Sequence, residues 1–180
     1  MNTVRAIAQT IDAFNNRIGI AVAWAALAMV TVQFVVVIMR YVYGIGSIFM
    51  QESVTYLHAT LFMVGAGYTL LHGGHVRVDI FYRRAAPRRK ALVDLFGVVL
   101  FLIPVCILIG WSSWPYVVQS WSVFEGSREV SGIQGVFLLK SVILVFVVLM
   151  ILQGISLALH SIMVLAGAEA KRAADGPGSV

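Results

Sequence analysis

The sequence predicts an all-α integral membrane protein with four transmembrane helices, and three observations carry that reading. Hydrophobic residues make up 60% of the chain and charged residues only 12%, with a mean hydropathy of +0.92, well outside the range of soluble domains. Four runs, at 18–39, 53–71, 91–111 and 141–165, each hold the roughly 20 mostly apolar residues that a helix needs to cross a bilayer. The runs are continuous, as in Ile143-Leu144-Val145-Phe146-Val147-Val148, and lack the short alternation of a barrel strand.

Ahead of the first run, Val4, Ile7, Ile11, Phe14 and Ile18 recur at spacings of three and four, with Arg5, Gln9, Asp12 and Asn15 between them. Segment 1–17 therefore reads either as an interfacial amphipathic helix or as an extension of span one, and the pattern leaves both open. The first run is full length, with no Ala-x-Ala type cleavage site behind a short apolar region, so it is expected to stay as a span. Gly44 and Gly46 open the first loop, and Gly73-Gly74 releases the chain after span two. Pro87 suits the first turn of the third helix, where its missing N–H costs nothing. Pro104, inside that span, predicts a kink. Trp111, Trp114, Tyr116 and Trp121 gather at the far end of the helix as an aromatic belt. Residues 18–167 form the transmembrane domain, and 168–180 are expected to be a flexible cytoplasmic tail.

Orientation follows from Lys and Arg in the short loops, since positive charge stays in the cytoplasm. Six of the 13 basic residues, Arg77, Arg83, Arg84, Arg88, Arg89 and Lys90, lie between spans two and three. That loop is expected to be cytoplasmic. Four spans then place both termini inside as well, with Arg5, Arg17, Lys171 and Arg172 in agreement. These basic residues read as topology signals and lipid-headgroup contacts, not as a nucleic-acid surface, despite a pI near 9.7.

Composition also narrows the chemistry. Cys106 is the single cysteine, which excludes a thiol-disulfide relay. A membrane cytochrome b needs two axial histidines at one depth. His58 and His160 differ in depth by roughly 25 Å, whereas His72 and His160 share a level and leave a haem as the enzyme-class alternative. A proton-coupled exporter needs a carboxylate inside a span, but the central parts of all four spans carry no Asp, Glu, Lys or Arg. Such a chain reads as a scaffold or accessory subunit with no cofactor, or as a free-standing membrane scaffold.

An ordered set of motifs points further. Arg40-Tyr41-Val42-Tyr43, Gln51-Glu52-Ser53, Gly74-His75-Val76-Arg77-Val78-Asp79, Pro87-Arg88-Arg89, Asp94-Leu95-Phe96-Gly97, Glu125-Gly126-Ser127-Arg128-Glu129 and Leu138-Leu139-Lys140-Ser141 span nearly the whole chain. Together they resemble the DctQ-like small membrane subunit of tripartite ATP-independent periplasmic (TRAP) transporters. The resemblance implies a multi-pass protein of the bacterial inner membrane that is not an enzyme. It further implies a stable partnership with a large permease subunit and a transient one with a periplasmic solute-binding protein. Uptake of an organic acid would be driven by a sodium gradient, with the small subunit scaffolding the large one.

Candidate polar contacts follow from position. Arg40 ends span one and Glu52 begins span two, so the hairpin between them predicts a tie between the two residues or to the large subunit. His75, Arg77 and Asp79 read as a helix-end network contacting that subunit, and Lys140 as a border residue near the outer face. Ala59, Gly65, Ala66 and Gly67, with Gly154, Ser156 and Ala158, supply small surfaces for packing either between subunits or within the chain.

Overall fold

The computed structural model describes residues 2–76, 82 and 85–167, and every regular element among them is helical. Helix α1, Asn2–Tyr41, is one unbroken element of 40 residues, about 60 Å long. Residues 2–17 continue without a break into the first apolar run. Span two is α2, Ile48–Val64, followed after Gly65 by α3, Ala66–Leu71. The Ser47 side chain caps α2 by accepting from Met50 N at 3.4 Å.

The end of α3 shows why Gly73-Gly74 stands there. Gly74 N donates to Thr69 O at 2.8 Å and Gly73 N to Leu70 O at 3.1 Å, with Gly73 at φ +63°. This is a Schellman closure, which needs a left-handed residue at the position Gly73 fills.

The third span starts with α4, Pro87–Gly97, widens into a π-helical turn at Val98–Leu102, and continues as α5, Ile103–Ser122. The wide turn is the answer to Pro104, whose ring would press on the Leu100 carbonyl in a regular helix. One extra residue per turn, closed by Ile103 N on Val98 O, takes up that conflict. A second proline, Pro115, lies inside α5.

Helix α6, Val136–Leu165, is the centre of the molecule and touches all the other helices. Helix α1 packs on α2, α3 and α6, whereas α4 and α5 pack on α6. Accordingly α6 is buried on two faces. Leu149, Gln153 and Ser156 turn to α1, while Val147 and Gly154 meet Gly110 and Leu102 on the α5 side. A Cβ on Gly154 would stand 2.7 Å from Leu102 Cδ2, so this glycine permits the close approach of α6 to the π turn. Ala66, Cys106, Val147 and Met150 form the apolar core between α3, α5 and α6. The small residues Ala66, Gly67, Gly154 and Ser156 are thus used within the chain, the second of their two expected roles.

Four helices, Asn2–Tyr41, Ile48–Leu71, Pro87–Ser122 and Val136–Leu165, are long and apolar enough to cross a membrane. The α1–α2 turn and the 123–135 loop share one end of the molecule, called here the hairpin end. The start of α1, the end of α3, the start of α4 and the end of α6 lie toward the other, the terminal end.

Candidate functional site

Two polar clusters tie the helices together, one at each end. At the hairpin end, Glu52 on α2 accepts from Ser127 Oγ at 2.5 Å and from Ile133 N at 2.6 Å, holding the 123–135 loop down on span two. Gly132 makes this possible, since a Cβ there would overlap Ser127 and lie 2.7 Å from Glu52 Oε2. The expected partner Arg40 is exposed and has no ion pair among the described residues. Glu52 has instead taken the loop, because two donors already satisfy its oxygens.

Beside this latch, Lys140 donates to Glu125 and stands 3.9 Å from the centroid of the Tyr116 ring. The Lys140 contact holds the Glu125 carboxyl below its ordinary 4.5. Trp121 Nε1 donates to Ser141 Oγ at 2.8 Å, and its ring packs edge-on against Phe137 at 4.7 Å. Phe124 joins the same cluster at a φ of +44°, a conformation a bulky residue adopts only under tertiary constraint.

The terminal-end cluster joins α1 to α6. Asp12 Oδ1 accepts from Ser156 Oγ at 2.6 Å and from Gln153 Nε2 at 3.0 Å, while Oδ2 lies 2.9 Å from His160 Nε2. Asn15 Nδ2 donates to Gln153 Oε1 at 2.7 Å. Ser156 Oγ also reaches Ala8 O at 3.2 Å. Asn15 is 1% exposed and Ser156 fully buried. Where α3 meets α1, a Cβ at Gly67 on α3 would stand 3.0 Å from Asn15 Oδ1, and a Cβ at Gly19 on α1 would overlap the Tyr68 ring.

The helical rise sets the depth of this cluster. Gln153 is 13 residues, about 20 Å, from Lys140, and Ser156 is about 24 Å away. On its own helix Asp12 is about 42 Å from Arg40 and precedes Arg17, so the cluster sits at the terminal edge of the bundle, in a segment for which the sequence left an interfacial helix and an extension of span one both open. In the sequence, Ile7 and Phe14 belong to the apolar set of segment 4–18, with Asp12 and Asn15 among the polar residues between. The structure exposes Ile7 and Phe14 by about half and buries Ala8 and Asn15. In a lipid-facing helix the polar stripe turns inward, because only protein can satisfy it. The missed signal was a pair of matching stripes: Ala8, Asp12, Asn15 and Gly19 on α1, against Gln153, Ser156 and His160 on α6.

The other candidate residues take simpler places. Arg88 Nη2 donates to Leu165 O at 3.2 Å and so caps α6, beyond its expected role in topology. Lys90 stands 5.4 Å from the Tyr82 ring centroid, and the Tyr82 hydroxyl donates to Asp94 Oδ2 at 2.6 Å. Arg89 and His75 are exposed. Arg77, Asp79, Arg83 and Arg84 lie outside the described residues. His72, the other half of the haem alternative, packs on Tyr68 at 4.2 Å, while His160 turns its Nε2 to Asp12.

A model of the DctQ component of tripartite ATP-independent periplasmic transporters matches residues 18–163. Among curated proteins, the chain is similar to the C4-dicarboxylate TRAP transporter small permease protein DctQ of Vibrio cholerae serotype O1. The two are 26% identical over 129 residues, which cover 66% of this chain and 56% of that protein. The match thus spans little more than half the length of the curated relative. No solved structure matches.

Proposed function

The chain belongs to the DctQ component family of tripartite ATP-independent periplasmic transporters, and from that premise we propose that it is the small permease subunit of such a transporter. It is a multi-pass protein of the inner membrane. In this reading the hairpin end faces the periplasm and the terminal end the cytoplasm, as the basic loop 77–90 favours. The partner is a large permease subunit that carries an organic acid inward on a sodium gradient, after a periplasmic solute-binding protein has delivered it. The small subunit is a fixed frame for that partner.

One observation supports the frame in particular. Between Lys140 and Gln153 α6 carries no charged or amide side chain over about 20 Å, so the two polar clusters are separated by apolar core. A chain built this way clamps its helices at both ends, with an apolar stretch of α6 between the two clamps. Transport chemistry then belongs to the partner.

Sodium-driven accumulation in membrane vesicles from cells with and without the chain tests the proposal. A C4-dicarboxylate is the first probe, because the Vibrio cholerae relative is named for that substrate. Accumulation lost with the chain and restored by re-expression supports the subunit role, and accumulation unchanged by its removal refutes it.

A further inference from the structure

Among the described residues, positive φ angles occur at Gly44, Gly73, Gly167 and Phe124. Phe124 alone carries a side chain there, and its position is one that glycine ordinarily fills. Glu125 N donates to Ser120 O at 3.0 Å and Phe124 N to Trp121 O at 3.3 Å, the same Schellman closure that ends α3 at Gly73. At φ +44° a Cβ crowds the backbone, so glycine would close α5 with less strain. The ring adds little within the chain. Trp121 and Phe137 already pack edge-on at 4.7 Å, while Phe124 stands over the pair at 6.4 and 5.7 Å and is still 69% exposed.

Lipid tails do not reach this ring either. Phe137 is 28 residues, about 42 Å, along α6 from Leu165, whose carbonyl Arg88 caps at the terminal end. A tilt of about 20° leaves about 39 Å along the bilayer normal, against about 30 Å of hydrocarbon. Phe124, which packs on Phe137, therefore lies at the outer headgroup level, where tryptophan and tyrosine find hydrogen-bond partners and phenylalanine has none to find. The loop that carries it is fastened twice, by Glu52 on Ser127 and Ile133 and by Lys140 on Glu125. Arg128, Glu129 and Val130 on the same loop are exposed, Val130 completely. A strained apolar ring on a fastened loop, with charges of both signs beside it, has the makeup of a protein-binding surface on the aqueous side.

We propose that Phe124, with Arg128, Glu129 and Val130, is where a soluble protein docks on the hairpin end, an apolar pocket of that protein taking the ring. The inference rests on the subunit reading above, in which the soluble partner on that side is the periplasmic solute-binding protein, and adds which residues of this chain receive it.

Photo-crosslinking in intact cells tests it. A benzophenone side chain replaces Phe124, Val130 or, as the comparison within the aromatic belt, Trp111, and adducts are identified by mass spectrometry. Adducts from 124 to a periplasmic solute-binding protein, at least about tenfold above those from 111, are expected. Phe124→Gly relieves the strain, so it should leave the unfolding temperature in detergent unchanged or higher while lowering the adduct from 130 by about tenfold or more. If 124 gives no adduct, or adducts only to lipid, to the large subunit or to a second copy of this chain, while the unsubstituted chain still co-purifies with a large subunit, the docking surface is overturned and the subunit reading stands. A lower unfolding temperature or an intact 130 adduct in Phe124→Gly overturns it as well, since the ring is then structural or idle. Failure of the unsubstituted chain to co-purify with any large membrane protein overturns both.

Discussion

Asn15 on α1 and Gln153 on α6 face each other at 2.7 Å, amide to amide, in a layer where Asn15 is 1% and Gln153 3% exposed. Gln153 passes its own amide hydrogen on to Asp12 at 3.0 Å, so the pair is the middle of a chain of bonds holding α1 to α6. Leaving either amide alone strands its partner in an apolar layer. Asn15→Leu or Gln153→Leu is expected to cost about 1–3 kcal/mol, with the double variant costing less than the sum. Thermal unfolding in detergent measures it.

Asp12 accepts from three donors, Ser156, Gln153 and His160. Asp12→Ala removes every acceptor and is expected to lower stability by about 2 kcal/mol or more, whereas Asp12→Asn keeps one acceptor oxygen and costs less. The comparison of the two, again by unfolding in detergent, separates the lost hydrogen bonds from the lost charge.

Gly19 lies against the ring of Tyr68, with no room for a side chain. Gly19→Ala is expected to destabilise by about 1–3 kcal/mol through overpacking. Combining it with Tyr68→Ala should recover part of the loss, and a double-mutant cycle reads the coupling.

Glu52 holds the 123–135 loop through Ser127 and Ile133. Glu52→Ala releases both donors, and exposed Arg128 in that loop becomes a faster trypsin site. Limited proteolysis of the purified protein should show cleavage after Arg128 accelerated several-fold, with the four spans otherwise intact.

The same loop should loosen at low pH. Because Lys140 holds the folded Glu125 carboxyl below its ordinary 4.5, the contact stabilises the loop above that value. The contribution is lost as pH falls through the still lower folded value. Hydrogen exchange at 123–135 is expected to rise on acidification below about pH 4.5, and Glu125→Gln should flatten that dependence.

Spans and fold class were legible because hydropathy in a membrane is a one-sided signal: long apolar runs have no other stable home. The resemblance to the transporter family was legible from motifs at helix ends, such as Gln51-Glu52-Ser53 and Leu138-Leu139-Lys140-Ser141. The terminal-end cluster was not. Segment 4–18 carries two helical stripes, one of Val4, Ile7, Ile11 and Phe14 and one of Ala8, Asp12, Asn15 and Gly19, and either can be the buried one. Lipid decides between them, since it accepts Phe14 and cannot satisfy Asn15. Glu52 was found by its position, but its partners lie 75 and 81 residues away in a loop without periodicity.

The measurement that tests the central claim most directly is a mild-detergent pull-down of the tagged chain from its native membranes, with mass spectrometry of what stays bound. The subunit account predicts a much larger polytopic membrane protein in near-equal amount. Recovery of the chain alone across several detergents would contradict it and leave a free-standing four-helix membrane protein.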